Sequence, residues 1–208
     1  MEQHTILRVS QRAEQTAVLG PGKRAVIWVY GCCFDCPGCL AQRYRHGTFQ
    51  RFTPEEIARW YLEIPDVRGL TISGGEPMLQ AEALARTIAL IRAEKDTDVI
   101  VYTGFLYEDL VEKAKQTPDI RAFLNAIDLL IDGPYIREKD DGKPYRGSSN
   151  QRLIPLTDRF QADLTGYYAQ PTGRQIEIYA TPESTVLIGV PDRDQLRIWD
   201  KIKAIGET

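Results

Sequence analysis

The chain has 208 residues, 43% of them hydrophobic and 26% charged, which is the size and composition of one globular domain or of one domain with an appendage. A formal net charge of −3 offers no bulk attraction to nucleic acid, and the longest apolar run, residues 25–30, is too short to span a bilayer. The N-terminus shows no basic-then-apolar leader, so a cytoplasmic protein is expected, and free thiols suit a reducing compartment.

Residues 5–10, rich in β-branched and apolar side chains, predict a short first strand. Gly20-Pro21-Gly22-Lys23 is a turn, and residues 25–30 form a near-continuous apolar strand, the pattern of a strand buried on both faces. That strand runs into Gly31-Cys32-Cys33-Phe34-Asp35-Cys36-Pro37-Gly38-Cys39, which contains all four cysteines of the chain. No thiol lies elsewhere, so a long-range disulfide framework is impossible, and a reactive or metal-binding loop is the reading that remains. Cys32, Cys36 and Cys39 have the spacing C-x3-C-x2-C. Three thiolates on a short loop can hold three irons of a cubic cluster and leave the fourth open to a ligand. Two other readings use the same residues. Cys33, Cys36 and Cys39 open a ferredoxin-like C-x2-C-x2-C run, although position 43 is Arg43 where that run wants a fourth cysteine. Three cysteines with His46 would suit a structural zinc. In the first reading Cys33 is a small packed thiol beside the loop.

Thr53-Pro54-Glu55-Glu56 predicts a helix start: Thr53 is the N-cap, Pro54 takes the first turn and Glu56 closes a capping box. Ile57, Trp60, Tyr61 and Ile64 then share one face, which reads as core. Residues 67–73 form the next strand. It ends in Ser73-Gly74-Gly75-Glu76-Pro77, where two glycines allow close backbone approach to a ligand and Glu76 can accept from an ammonium group. A helix over about 78–95 follows. Residues 98–103 are a strand, 107–115 and 118–126 are helical, and 128–132 are a strand ending Asp132-Gly133-Pro134. Helical patterns between these strands predict a parallel sheet. Its strand ends, Gly31-Cys32, Ser73-Gly74, Thr103-Gly104 and Asp132-Gly133, should then meet on one rim, where α/β folds bind ligands. Thr103 and Asp132 are therefore candidates for the same site as the cysteines.

A charged loop over 137–147 leads to Arg146-Gly147-Ser148-Ser149-Asn150-Gln151-Arg152 and a short strand at 153–155. Arg146 or its neighbour Arg152 could pair with a carboxylate; a loop-fixing polar network is the other reading. Residues 175–180 and 184–190 read as a hairpin around Thr181-Pro182-Glu183, followed by an amphipathic helix carrying Leu196, Ile198, Trp199 and Ile202.

C-x3-C-x2-C directly after a strand, with Gly-Gly-Glu-Pro downstream, resembles the radical S-adenosylmethionine (SAM) superfamily. Cys-Pro-Gly-Cys and the Ile-Asp-Gly-Pro and Arg-Gly-Ser-Ser-Asn-Gln-Arg segments resemble, within it, the activating proteins of anaerobic ribonucleotide reductase. Gly38, where many members of the superfamily have an aromatic residue, fits that subgroup. The resemblance covers about residues 6–155. It implies an α/β fold, a partial (β/α)6-type barrel over residues 1–158, with 159–208 as a hairpin-plus-helix extension packed on it. It implies a 4Fe–4S cluster on Cys32, Cys36 and Cys39, SAM on the open iron, and Gly74, Gly75 and Glu76 at the SAM amino group, with Ser73 a further cofactor-binding residue beside them. It further implies that one-electron cleavage of SAM yields a 5′-deoxyadenosyl radical, which abstracts hydrogen from a glycine of a separate glycyl radical enzyme. Reduced flavodoxin or ferredoxin would be the electron donor. A radical SAM enzyme acting on a small molecule or peptide, and a non-catalytic iron–sulfur electron carrier, are the alternatives.

Overall fold

The computed structural model describes residues 5–167, 173–180 and 185–206. Its centre is β2 (Arg24–Val29), in which every residue is buried. Alternation explains why: Ala25, Ile27 and Val29 face one layer, and Val26 and Trp28 face the other. On one side of β2 lie β4 (Gly69–Gly74), β5 (Asp98–Tyr102) and β6 (Leu129–Asp132), each parallel to its neighbour. On the other side β1 (Leu7–Thr16) pairs antiparallel with β2, and β3 (Gln50–Phe52) pairs antiparallel with β1. The last strand, β7 (Arg152–Pro155), runs antiparallel to β6. The result is one seven-stranded sheet ordered β3-β1-β2-β4-β5-β6-β7. It is a mixed α/β fold rich in parallel pairing.

Four helices cover one face: α2 (Pro54–Leu62), α3 (Ala81–Glu94), α4 (Tyr107–Gln116) and α5 (Pro118–Leu124). Their apolar stripes, including Ile57, Tyr61, Leu84, Ile88, Leu110 and Phe123, meet Ile27, Ile72, Val101 and Leu130 of the sheet. The expected capping box is present, with Glu56 N–H donating to Thr53 Oγ1 (3.2 Å) and Thr53 N–H donating to Glu56 Oε2 (2.7 Å). The opposite face holds two smaller clusters. Phe160, in the turn that leads into α6 (Gln161–Tyr167), and Tyr167, at the C-terminal end of that helix, pack on Ile100, Leu129, Ile131 and Leu153. Ile188, from the hairpin of β8 (Ile176–Ala180) and β9 (Thr185–Gly189), packs on Val26, Trp28 and Tyr44. The terminal helix is α7 (Arg193–Gly206).

Several expectations shift in detail. β1 continues to Thr16 because its polar residues lie past the end of β3, which pairs only with Leu7 to Val9, and are half-exposed there, with register shifts after Val9 and after Ala13. The helix expected from residue 78 begins as a 3-10 turn at Pro77–Gln80, and regular α-helix starts at Ala81. β3, α6 and the four-residue α1 (Arg43–His46) carry too little periodicity to be read from sequence. The hairpin turn Thr181-Pro182-Glu183, with Ser184, lies outside the described residues.

The N-terminal rim of the sheet is closed by charge. The fully buried Arg24 donates through Nε to Thr71 Oγ1 (2.8 Å) and through Nη2 to Leu70 O (3.1 Å), and pairs with Asp98 (2.6 Å). Arg68 bridges the same Asp98 (2.7 Å) to Asp163 of α6 (2.7 Å). Both guanidiniums lie over the Phe160 ring, at 5.6 and 4.9 Å. The opposite rim is left for chemistry.

Candidate functional site

At the C-terminal rim, β2 and β4 pass directly into the two motif loops, and the loops are tied together. Gly31 N–H donates to Tyr44 O (3.0 Å), Glu76 N–H donates to Gly31 O (2.8 Å), and Gly75 N–H donates to Val29 O (2.8 Å). The paired glycines follow from this closeness. A Cβ on Gly75 would lie 2.0 Å from Gly31 O, and Gly74 has φ +108° with Val29 N 2.5 Å from where its Cβ would be.

The loop then turns tightly, with Cys39 N–H donating to Cys36 O (3.1 Å), and Gly38 adopts φ +74° with the Arg137 guanidinium against it. Cys32, Cys36 and Cys39 line one cleft together with Ser73, Gly74, Gly75, Glu76, Thr103 and Gly104. The cleft holds about 900 Å³ of empty space, part of it open to solvent, within the range of small-molecule and cofactor sites. Phe34 sets the register. Its N–H donates to Cys32 Sγ (3.4 Å) and its ring meets Phe105 edge-on at 4.9 Å, beside Gly104. Cys33 is exposed and lies outside the lining, not packed as expected.

Burial pushes the Cys32 thiol up to about 11 against the opposing Phe34 hydrogen bond, and Cys39 is raised for the same reason. Metal binding therefore has to displace protons from these groups. Among the described residues, no three or more His, Cys, Asp or Glu side chains converge as they would around a single ion, and His46 is exposed. A cubic cluster with one open iron asks for a thiolate on each of the other three, and three thiols spaced around one cleft fit that demand.

Glu76 is buried at the edge of this cleft. One oxygen accepts from Met78 N–H (3.0 Å) and Thr103 Oγ1 (2.8 Å), the other from Gly104 N–H (2.8 Å). Burial raises its pKa to about 7, and the three donors oppose that rise. Thr103 also accepts from Phe105 N–H (3.1 Å), so its hydroxyl orients Glu76 and ends the strand.

Two sequence candidates are placed otherwise. Asp132 is fully buried, accepting from Tyr107 N–H (2.8 Å) and from Arg152 Nε (3.0 Å), and is not part of the lining; its neighbour Gly133 is. Arg152 reaches on to Glu108 (2.7 Å). Arg146 pairs with Asp141 and donates to Gln151 O (3.2 Å), while Gly147 and Gln151 line the cleft in its place. The surrounding segment is a polar network that fixes the loop. Gln151 accepts from Gly147 N–H (2.8 Å) and donates to Gly133 O (3.0 Å), and Asn150 donates to Pro134 O (2.7 Å). Residues that sequence reasoning passed over include Arg45, paired with Asp35, together with Tyr102, Tyr135 and Val190, all in the lining. Tyr102 closes an apolar strand and was readable as a rim residue; Val190 had no local signal.

The family model for a 4Fe-4S single cluster domain matches residues 18–154, which include the thiol loop, the glycine turn and every parallel strand. The chain is a radical SAM enzyme of this 4Fe–4S family. Among its relatives, the anaerobic ribonucleoside-triphosphate reductase-activating protein of Vibrio cholerae is 34% identical over 150 residues, 67% of this chain and 92% of the relative. That of Enterobacteria phage T4 is 34% identical over 148 residues, 68% of this chain and 89% of the relative. A putative glycyl-radical enzyme activating enzyme of Haemophilus influenzae is 29% identical over 102 residues, 45% of this chain and 37% of that one. Among solved structures, QueE from Escherichia coli aligns with TM-score 0.41 and 15% identity over 49% of this chain and 53% of that chain. Membership in the family brings a 4Fe–4S cluster and the use of SAM.

Proposed function

We propose that this enzyme installs a glycyl radical on an anaerobic ribonucleoside-triphosphate reductase, the activity named for its relatives. The observation that carries the reading is the opening of three thiols and the Gly-Gly-Glu turn onto one cleft. The cluster, when bound on these thiols, would supply the one-electron reduction of SAM that makes hydrogen abstraction from the partner's glycine possible. The chain's own residues bind and orient. Cys32, Cys36 and Cys39 hold the metal. Ser73, Gly74 and Gly75 present backbone to the SAM amino group, and Glu76 supplies the opposite charge. Thr103 holds Glu76 in place, Asp132 fixes the β6 rim through Arg152 and Tyr107, and Arg146 fixes the 141–151 loop.

The parallel strands with their helices are the part of the fold that a partial (β/α)6-type barrel needs, taken as residues 1–158 with 159–208 as the extension. Reduced flavodoxin or ferredoxin is the donor in this reading, and the cytoplasm is the compartment. Among the described residues no helix is long and apolar enough to cross a membrane.

The test is 5′-deoxyadenosine formation by anaerobically reconstituted protein with dithionite and SAM, followed by electron paramagnetic resonance of the reductase added as partner. Parent and Cys33→Ala should form the product and Cys32→Ala should not. Loss in Cys33→Ala alone would assign the other triad, and product without a radical on the reductase would move the target to another substrate.

A further inference from the structure

The family match ends at residue 154, and 150 aligned residues already make up 92% of the Vibrio relative, so the C-terminal extension is an addition to what the family shares. It nevertheless reaches the cleft. Its anchor is Arg174, buried although cationic. Nε donates to Lys143 O (3.1 Å), Nη2 donates to Arg146 O (2.9 Å) and Gly147 O (3.0 Å), and Nη1 donates to Pro191 O (3.4 Å). The same guanidinium pairs with Asp140 (2.8 Å). One side chain thus ties the 140–147 loop to both the entry and the exit of the hairpin. A buried arginine is destabilising unless its donors are filled, and here they are.

The hairpin is fixed on its far side as well. Glu177 accepts from Ala17 N–H (3.0 Å), and Tyr179 Oη donates to Gln15 O (2.7 Å). Asp192 and Gln195 cap α7 reciprocally (2.8 and 2.9 Å), and Gln195 Nε2 donates back to Arg174 O (2.9 Å). Between these ties, Ile188 is buried on Trp28 and Tyr44, and Val190 packs on the same cluster as Ala41 and Tyr102. Val190, Ala41 and Tyr102 are all cleft-lining residues, as is the Gly147 whose carbonyl Arg174 holds.

We propose that the extension is a wall of the radical cleft: Val190 narrows its mouth, and Arg174 is the positioning residue that sets both Val190 and the 140–147 loop. A polypeptide entering the cleft has to pass Val190, so the wall favours a thin, glycine-centred segment over one with bulky side chains. That selection rests on the function proposed above; the wall itself does not.

The wall is tested on the full chain before cluster loading, by timing alkylation with a bulky maleimide and mapping the labelled peptides. Cys33 is exposed and serves as the internal reference for Cys36 and Cys39. Val190→Gly and Arg174→Ala should raise labelling of Cys36 and Cys39 relative to Cys33 several-fold. Arg174→Lys, which keeps the charge facing Asp140 but cannot reach all four carbonyls, should fall between. Melting temperatures read alongside separate opening of the cleft from unfolding. An unchanged ratio in Val190→Gly and Arg174→Ala overturns the wall. Selection is tested on the reconstituted enzyme: Val190→Trp should raise KM for the reductase's glycine-bearing peptide several-fold while kcat changes less. An unchanged KM overturns selection. A parent that forms no 5′-deoxyadenosine sinks the functional reading instead, and leaves the alkylation result to judge the wall.

Discussion

Glu76 is held between two opposed effects. Its surroundings exclude water and disfavour the carboxylate, while Met78, Gly104 and Thr103 donate to it. An ammonium group arriving in the cleft adds the missing positive charge and draws the proton off. In the unliganded chain the folded pKa of about 7 lies above the ordinary 4.5, so the folded state binds more protons between those values. The stability this group contributes is therefore complete below about pH 4.5 and is lost as pH rises through about 7. Glu76→Gln removes the ionisation and keeps the shape. Urea unfolding of the cluster-free chains should show the variant gaining on the parent from pH 5 to pH 8. A difference that does not move with pH would mean that the three donors already outweigh burial.

The turn that carries Glu76 and the loop that carries the thiols behave as one element, because their backbones are hydrogen-bonded to each other. Gly75→Ala would push a methyl into Gly31 O. It should lose about 1–3 kcal/mol in urea unfolding, the range for forced overpacking. Gly166→Ala is the contrast. It lies in α6 with nothing within 4 Å of the added Cβ, and should gain about 0.4–1 kcal/mol. Equal stability of Gly75→Ala and parent would show that the two loops are free to separate. Much of this pairing was legible from sequence, since an apolar run that stops at a glycine next to a polar residue marks a strand end wherever it occurs. Thr103 and Asp132 show where that local rule stops. Both close parallel strands, yet Asp132 is claimed by Arg152 and Tyr107 because β7 returns antiparallel beside β6, a long-range fact. Arg146 is claimed by Asp141 five residues before it. Val190 reaches the cleft only through packing that no window of sequence contains.

The whole sheet divides its two rims by task. The start of β2 is pinned by Arg24, Asp98 and Arg68, and the end of β2 opens onto the cleft. Arg24→Met removes one partner of a buried ion pair and should cost about 3–5 kcal/mol of stability, read by urea unfolding. Iron bound per folded molecule should stay at the parent's value, since the cleft is at the other end of the strand. Lower iron content with unchanged stability would mean that the two rims are coupled.

The main core behind the sheet is built without any residue of the thiol loop; its apolar contacts come from the strands, the four covering helices and the short connections between them. Folding and metallation are therefore separable events in the life of this chain. The polypeptide can complete its architecture first and be matured afterwards. Oxidative loss of iron then takes away chemistry and leaves the scaffold standing, ready to be rebuilt by whatever machinery delivers iron and sulfide when air is gone.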